Sequence, residues 1–145
     1  MKTIIIVSGH GHYATGFQST IELLAGCNPD VYYLDLTITD NDATLRDKMN
    51  SVIARNSEAN ILFICDILGG TPFKVAAQIA NKAANMEVIA GCNIGAVLEG
   101  FLQKEKLSLA DLAEFIVGVS RRTTIRLEKC VDEKVKQTME PGTGI

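Results

Sequence analysis

Hydrophobic positions along the chain follow two rhythms. Thr3-Ile-Ile-Ile-Val-Ser8, Val31-Tyr-Tyr-Leu-Asp-Leu36 and Asn60-Ile-Leu-Phe-Ile-Cys65 are near-continuous apolar runs rich in β-branched and aromatic residues. Such runs fit strands buried on both faces, as parallel sheets require. Between them the apolar positions recur at helical spacing. Phe17, Ile21, Leu24 and Ala25 define a helix over 14–25 that Gly26 stops. Leu45, Met49, Val52 and Ile53 define a second, for which Asp42 is the expected N-cap. Thr71 followed by Pro72 reads as an N-cap with proline at the first helical position, opening a helix through Ala83. Glu87-Val-Ile-Ala90 is a short fourth strand, residues 94–103 and 109–120 are helical, and 124–128 is a candidate edge strand.

Four alternations of strand and helix predict an α/β fold: a single doubly wound, mainly parallel sheet. Right-handed crossovers leave few strand orders, and 2-1-3-4 is the commoner small arrangement. At 145 residues the chain has the length of one domain. The domain is assigned to residues 1–131. Residues 132–145 are polar, end Glu-Pro-Gly-Thr-Gly-Ile145, and are expected to form a mobile tail.

Composition narrows the function classes. Hydrophobic residues make up 47% and charged residues 21%, which excludes disorder, collagen and coiled coil. A net charge of −3 offers no broad basic surface for a nucleic-acid backbone. Cys27, Cys65, Cys92 and Cys130 stand far apart, and His10 and His12 are the only histidines, so no zinc-cage spacing exists and no metal is expected. The cysteines read as free thiols of a reducing compartment, with Cys65 and Cys92 in the core. The apolar run at 3–7 is too short for a signal peptide, and no run approaches the ~20 residues of a membrane span. A cytoplasmic protein is expected.

Ligands of open α/β sheets sit beyond the carboxyl ends of the strands, where strand order reverses. For order 2-1-3-4 this point lies between the first and third strands. Gly9-His10-Gly11-His12 and Asp66-Ile-Leu-Gly-Gly-Thr71 follow those strands. Neighbouring strands lie about 4.8 Å apart, so His10 and Asp66 fall within reach of each other. A carboxylate bonded to one ring nitrogen fixes the tautomer and leaves the other free as nucleophile, base or ligand. Gly69, Gly70 and the helix start at Thr71 offer backbone N–H groups and partial positive charge, an anion site without a lysine. A nucleophilic histidine facing an anion site points to phosphoryl transfer through phosphohistidine. His12 reads as a rim residue, and Asp35, Asp40 and Asp42 as caps and solvated charges; Asp40 and Asp42 also stand where they could orient a basic partner. A rival reading takes Gly9-x-Gly11-x-x-Ala14 as a dinucleotide fingerprint with Asp35 as its ribose-binding acid. It is the weaker one, because His10 and His12 crowd the pyrophosphate position and no chain is left for a substrate domain.

Ser8-Gly-His10-Gly11, a helix ending near Leu24-Ala-Gly26, Asp66-x-x-Gly-Gly-Thr-Pro-Phe73 and Val88-Ile-Ala-Gly-Cys-Asn93 together resemble the IIA component of the mannose-family sugar phosphotransferase system. The similarity runs in order over about residues 2–130. It implies a free-standing cytoplasmic phosphocarrier that needs no cofactor. Such a protein takes a phosphoryl group from phospho-HPr and passes it to a histidine of the IIB component, with sugar entering through the membrane IIC and IID subunits. The family's phosphorylated histidine corresponds to His10, its histidine-orienting aspartate to Asp66 and its hydroxyl residue at the site to Thr71. Gly11, Gly69 and Gly70 complete the expected phosphoryl-binding set. The resemblance also implies a homodimer that exchanges a C-terminal edge strand, here 124–128. His12 has no counterpart in that pattern. The sugar is not legible, because specificity in such systems belongs to the membrane subunits.

Overall fold

The computed structural model describes residues 1–130; the expected tail at 132–145 lies outside the described residues. The chain runs β1(Thr3–His10) α1(Tyr13–Ala25) β2(Val31–Leu36) α2(Asp42–Arg55) β3(Asn60–Cys65) α3(Thr71–Ala80) β4(Met86–Ala90) α4(Ile94–Gln103) α5(Leu109–Thr123). The four strands form one all-parallel sheet in the order β2-β1-β3-β4. This is the predicted order, and β1 and β3 stand at its centre.

Burial on both faces explains the unbroken apolar runs. In β1, Ile5 and Val7 face a core built with Phe17 of α1, Val97 of α4 and Ile116 of α5. Ile4 and Ile6 face the opposite core, with Leu45 and Met49 of α2 and Val75 of α3. Every β1 residue before His10 is buried. Cys65 and Cys92 are buried free thiols, as expected.

Helix boundaries differ from the sequence reading in instructive ways. The N-cap of α2 is Asn41, not Asp42: Asn41 Oδ1 accepts from the Thr44 N–H at 2.9 Å, and Thr44 Oγ1 accepts from the Asn41 N–H at 2.9 Å. This reciprocal box satisfies two donors at once, which Asp42 one residue later cannot do. In α3 the cap is Gly70, so Thr71 and Pro72 are the first and second helical residues, and the helix ends at Ala80 rather than Ala83.

Residues 124–128 form no strand. They leave α5 exposed and irregular, pairing with neither edge of the sheet within this chain. An alternating pattern becomes a strand only when another strand supplies its ladder.

Candidate functional site

His10 closes β1 and pairs in register with Leu36 of β2, so it belongs to the sheet rather than to the loop beyond it. The chain then turns at Gly11, whose φ of 58° lies in the region glycine adopts without strain. On the other side of β1, Asp66 follows Cys65, the residue paired with Ser8. The two side chains meet. His10 Nδ1 lies 2.7 Å from Asp66 Oδ2, and the His10 backbone N–H donates to the same oxygen at 2.9 Å. Asp66 Oδ1 accepts from the Ile67 N–H at 2.9 Å. The carboxylate is thus held from both sides, and the imidazole is held by it.

Exposure divides the pair. The His10 side chain is 46% accessible and that of Asp66 12%. Partial burial of Asp66 opposes its ionisation, but the hydrogen bonds from His10 and Ile67 outweigh it and hold the carboxyl below its ordinary value. An ionised Asp66 selects the tautomer with hydrogen on Nδ1, leaving the Nε2 lone pair free. Burial first, and the Asp66 charge second, push the Cys65 thiol to about 12, which disqualifies it as a nucleophile near neutral pH.

The N-terminus of α3 supplies the electropositive part of the site. Gly69, at φ 80°, turns the chain into Gly70. Gly70 passes so close to the ring that a Cβ there would stand 2.8 Å from His10 Cε1. The Gly70 N–H is taken up in the turn, donating to Ile67 O at 3.4 Å, so it is not the free donor the sequence suggested. Thr71 and Phe73 carry the donors that the start of α3 leaves without an intrahelical partner, because Pro72 has none. The sequence reading places Pro72 at the first helical position; with Pro72 at the second, the donor after it falls to Phe73, which that reading does not single out.

The remaining sequence candidates are placed as follows. His12 is the N-cap of α1 and exposed; its Nδ1 lies 3.4 Å from Asp35 Oδ2. Asp35 accepts from the Thr15 N–H at 3.0 Å and from Thr15 Oγ1 at 2.6 Å, so the carboxylate caps α1 from β2. That contact removes the dinucleotide reading, since the helix end that would hold a pyrophosphate already holds a carboxylate, and Asp35 is not free for a ribose. Asp40 is spent inside its own loop. Lys48 Nζ and the Thr37 N–H and hydroxyl bond it at 2.7–2.9 Å and hold its carboxyl well below the usual range. Among the described residues no cluster of three or more His, Cys, Asp or Glu side chains could hold a metal. No helix of the described residues is long and apolar enough to cross a membrane.

Fold and site together define a doubly wound α/β protein whose polar chemistry converges on an exposed histidine at the switch point of the sheet. The profile of the family described as "PTS system fructose IIA component" (EIIA-man) matches residues 3–117, and the chain belongs to that family. It is a IIA component of the mannose family of sugar phosphotransferase systems. The sorbose-specific EIIA component of Lacticaseibacillus casei is 26% identical over 133 residues, covering 92% of this chain and 96% of that protein. The mannose-specific EIIAB component of Escherichia coli is 32% identical over 106 residues, covering 72% of this chain but 33% of that longer protein. Among solved structures, the mannose/sorbose-specific IIA subunit from Enterococcus faecalis superposes with a TM-score of 0.78 at 22% identity, covering 90% of this chain and all of that one. That likeness bears on the fold.

Proposed function

We propose that this protein is a cytoplasmic phosphocarrier that accepts a phosphoryl group from phospho-HPr on His10 and passes it to a histidine of a IIB component, serving sugar uptake through membrane IIC and IID subunits. The observation that carries this reading is the half-exposed His10 ring bound through Nδ1 to Asp66 at 2.7 Å. Nε2 attacks the phosphorus of the donor's phosphohistidine. The new N–P bond forms as the donor's bond breaks and the donor imidazole takes the electron pair. With hydrogen retained on Nδ1, the phosphorylated His10 ring is cationic, and the Asp66 carboxylate balances it. Transfer then needs positioning more than covalent help, because the migrating group is largely metaphosphate-like. The N–H groups of Thr71 and Phe73, with the Thr71 hydroxyl, stabilise its oxygens, and Gly11, Gly69 and Gly70 keep the approach open. No cofactor enters the reaction. Two proteins must bring their imidazoles into line, which suits an exposed ring and would be defeated by a deep pocket.

The same reading makes the protein a homodimer in which 124–128 adds an edge strand to a second copy. The alternation of exposed Ile125 and Leu127 supports this.

Incubation with phosphoenolpyruvate, enzyme I and HPr, followed by intact mass measurement, tests the function. The expected result is a gain of one phosphoryl group in the wild type and none in His10→Ala. No gain in the wild type, with HPr shown to be phosphorylated, refutes it; so does a gain in His10→Ala that His12→Ala abolishes.

A further inference from the structure

Beside the histidine lies a cleft of about 400 Å³ between α2 and α3, lined by Leu36, Thr71 and Gln78 and by the charged side chains Asp40, Asp42, Arg46 and Lys74. Its charges are unequally matched. Asp40 is neutralised by Lys48 at 2.9 Å. Asp42 stands in the first turn of α2, where it offsets that helix's positive end. Arg46 donates to the neutral Gln78 side chain. Among the described residues neither Arg46 nor Lys74 makes an ion pair. The positive charge without an ion-pair partner therefore lies on both walls of the cleft, Arg46 on α2 and Lys74 near the start of α3, the helix whose opening abuts the histidine.

Two neighbours place the cleft within reach of the chemistry. Thr71 lines it, and the preceding residue, Gly70, touches the His10 ring. Leu36 lines it and is the register partner of His10. A protein partner of ordinary size covers about 800 Å² of this surface, a disc of roughly 16 Å radius. A partner with a footprint of that size centred on His10 extends over the neighbouring cleft.

We propose that Arg46 and Lys74 form an electrostatic guide for the phosphoryl group carried by the donor protein. They draw the phosphorylated donor toward His10 in preference to its unphosphorylated form. The inference rests on the phosphocarrier reading above. A phosphorylated donor carries up to two negative charges at the point that must approach the ring, and a dephosphorylated donor lacks them. Two uncompensated cations at the edge of the landing surface raise the encounter rate of the charged form. Once the group has moved to His10, its charge offsets those cations and the emptied donor is no longer favoured.

The test measures single-turnover phosphoryl transfer from phospho-HPr by rapid quench at low and high salt. The double variant R46E/K74E is expected to lower the second-order rate about tenfold at low salt and to flatten its salt dependence, with a smaller change in affinity for unphosphorylated HPr. R46Q/K74Q should fall between wild type and reversal, and decides the matter should the reversal variant not fold. R46K/K74R keeps the charges and should keep the wild-type rate. Equal rates for wild type and the charge-altered variants at low salt would overturn the guide, as would a charge-preserving variant as slow as the reversal. A wild type that accepts no phosphoryl group from phospho-HPr would instead overturn the phosphocarrier reading itself.

Discussion

At the scale of single residues, the candidate site is one ring fixed by one carboxylate and one missing methyl group. Asp66 bonds Nδ1 while hydrogen bonds from His10 and Ile67 keep it ionised. Asp66→Asn keeps the size but no longer selects the tautomer by charge, and loses the counter-charge to a phosphorylated ring. The expected effect is a fall of about 10–100-fold in transfer rate, the usual range for a partner that orients a functional histidine. Rapid-quench kinetics with phospho-HPr checks it; a wild-type rate would reduce Asp66 to a structural role. Gly70 acts through space. In Gly70→Ala the added methyl would stand 2.8 Å from His10 Cε1 and 2.9 Å from Ile67 Cγ1, so the ring is pressed from one side while the exposed Ile67 side chain yields on the other. Transfer should slow while the overall fold persists. The His10 ring resonances in a two-dimensional NMR spectrum should shift, with far-UV circular dichroism unchanged. Unshifted ring signals would show that the turn, not the ring, gives way.

At the scale of elements, most of the architecture was legible, and the residues show why. Burial on both faces keeps 4–7 of β1 and 61–65 of β3 apolar without a break, so their runs need no periodicity to be recognised. The switch point followed from strand order, and with it the meeting of His10 and Asp66. What escaped depends on contacts made across space. The box at Asn41 depends on Thr44 reaching back, and Asp35 caps a helix from a neighbouring strand. From sequence Asp35 reads as a cap or a solvated charge, and only the fold shows that the helix it caps is α1. Residues 124–128 carry a strand's alternation but have no strand beside them in this chain. The departure of that segment is fixed by Asn93. Its Oδ1 caps α4 through the Ala96 N–H, its own N–H donates to Ser120 Oγ, and its amide donates to Thr123 Oγ1, tying the β4–α4 turn to the end of α5. Asn93→Ala removes a cap and a bridge together and is expected to cost about 1–3 kcal/mol. Asn93→Asp keeps the acceptor, loses the amide donors and should fall between. Chemical denaturation checks the order of the three, and equal stability of Asn93→Ala and wild type would show that the loop needs no tie.

At the scale of the whole molecule, chemistry and anchorage occupy opposite ends of the sheet. The candidate site lies beyond the carboxyl ends of the strands. At the other end Lys104, buried at the close of α4, donates to the Thr3 carbonyl at 3.1 Å and to Asp30 at 3.2 Å, and also bonds Glu105, while Lys2 holds the second Asp30 oxygen at 2.9 Å. Acid should loosen both ends. Burial raises the carboxyl pKa of Asp30, Asp35 and Asp66, but hydrogen bonds and nearby charge outweigh it, and all three sit below the ordinary 3.8. A depressed carboxyl stabilises the fold fully above its unfolded value and loses that contribution as pH falls through its folded value. Denaturation midpoints should therefore hold steady above about pH 5 and drop below about pH 4, less steeply in Asp66→Asn. Lys104→Met separates the two ends. It keeps the apolar stem, removes the ammonium, and leaves the Thr3 carbonyl and one Asp30 oxygen without their donor. Because Asp30 keeps Lys2 and some solvent, the expected loss is about 2 kcal/mol rather than the full cost of an orphaned buried charge. That corresponds to a fall of about 4–8 °C in Tm for a domain of this size. Phosphoryl transfer at 25 °C should be unchanged, because the sheet that carries His10 and Asp66 stays intact between the two ends. A transfer rate that fell with the Tm would mean that the anchor and the site are mechanically coupled through β1, the strand that runs from Thr3 to His10.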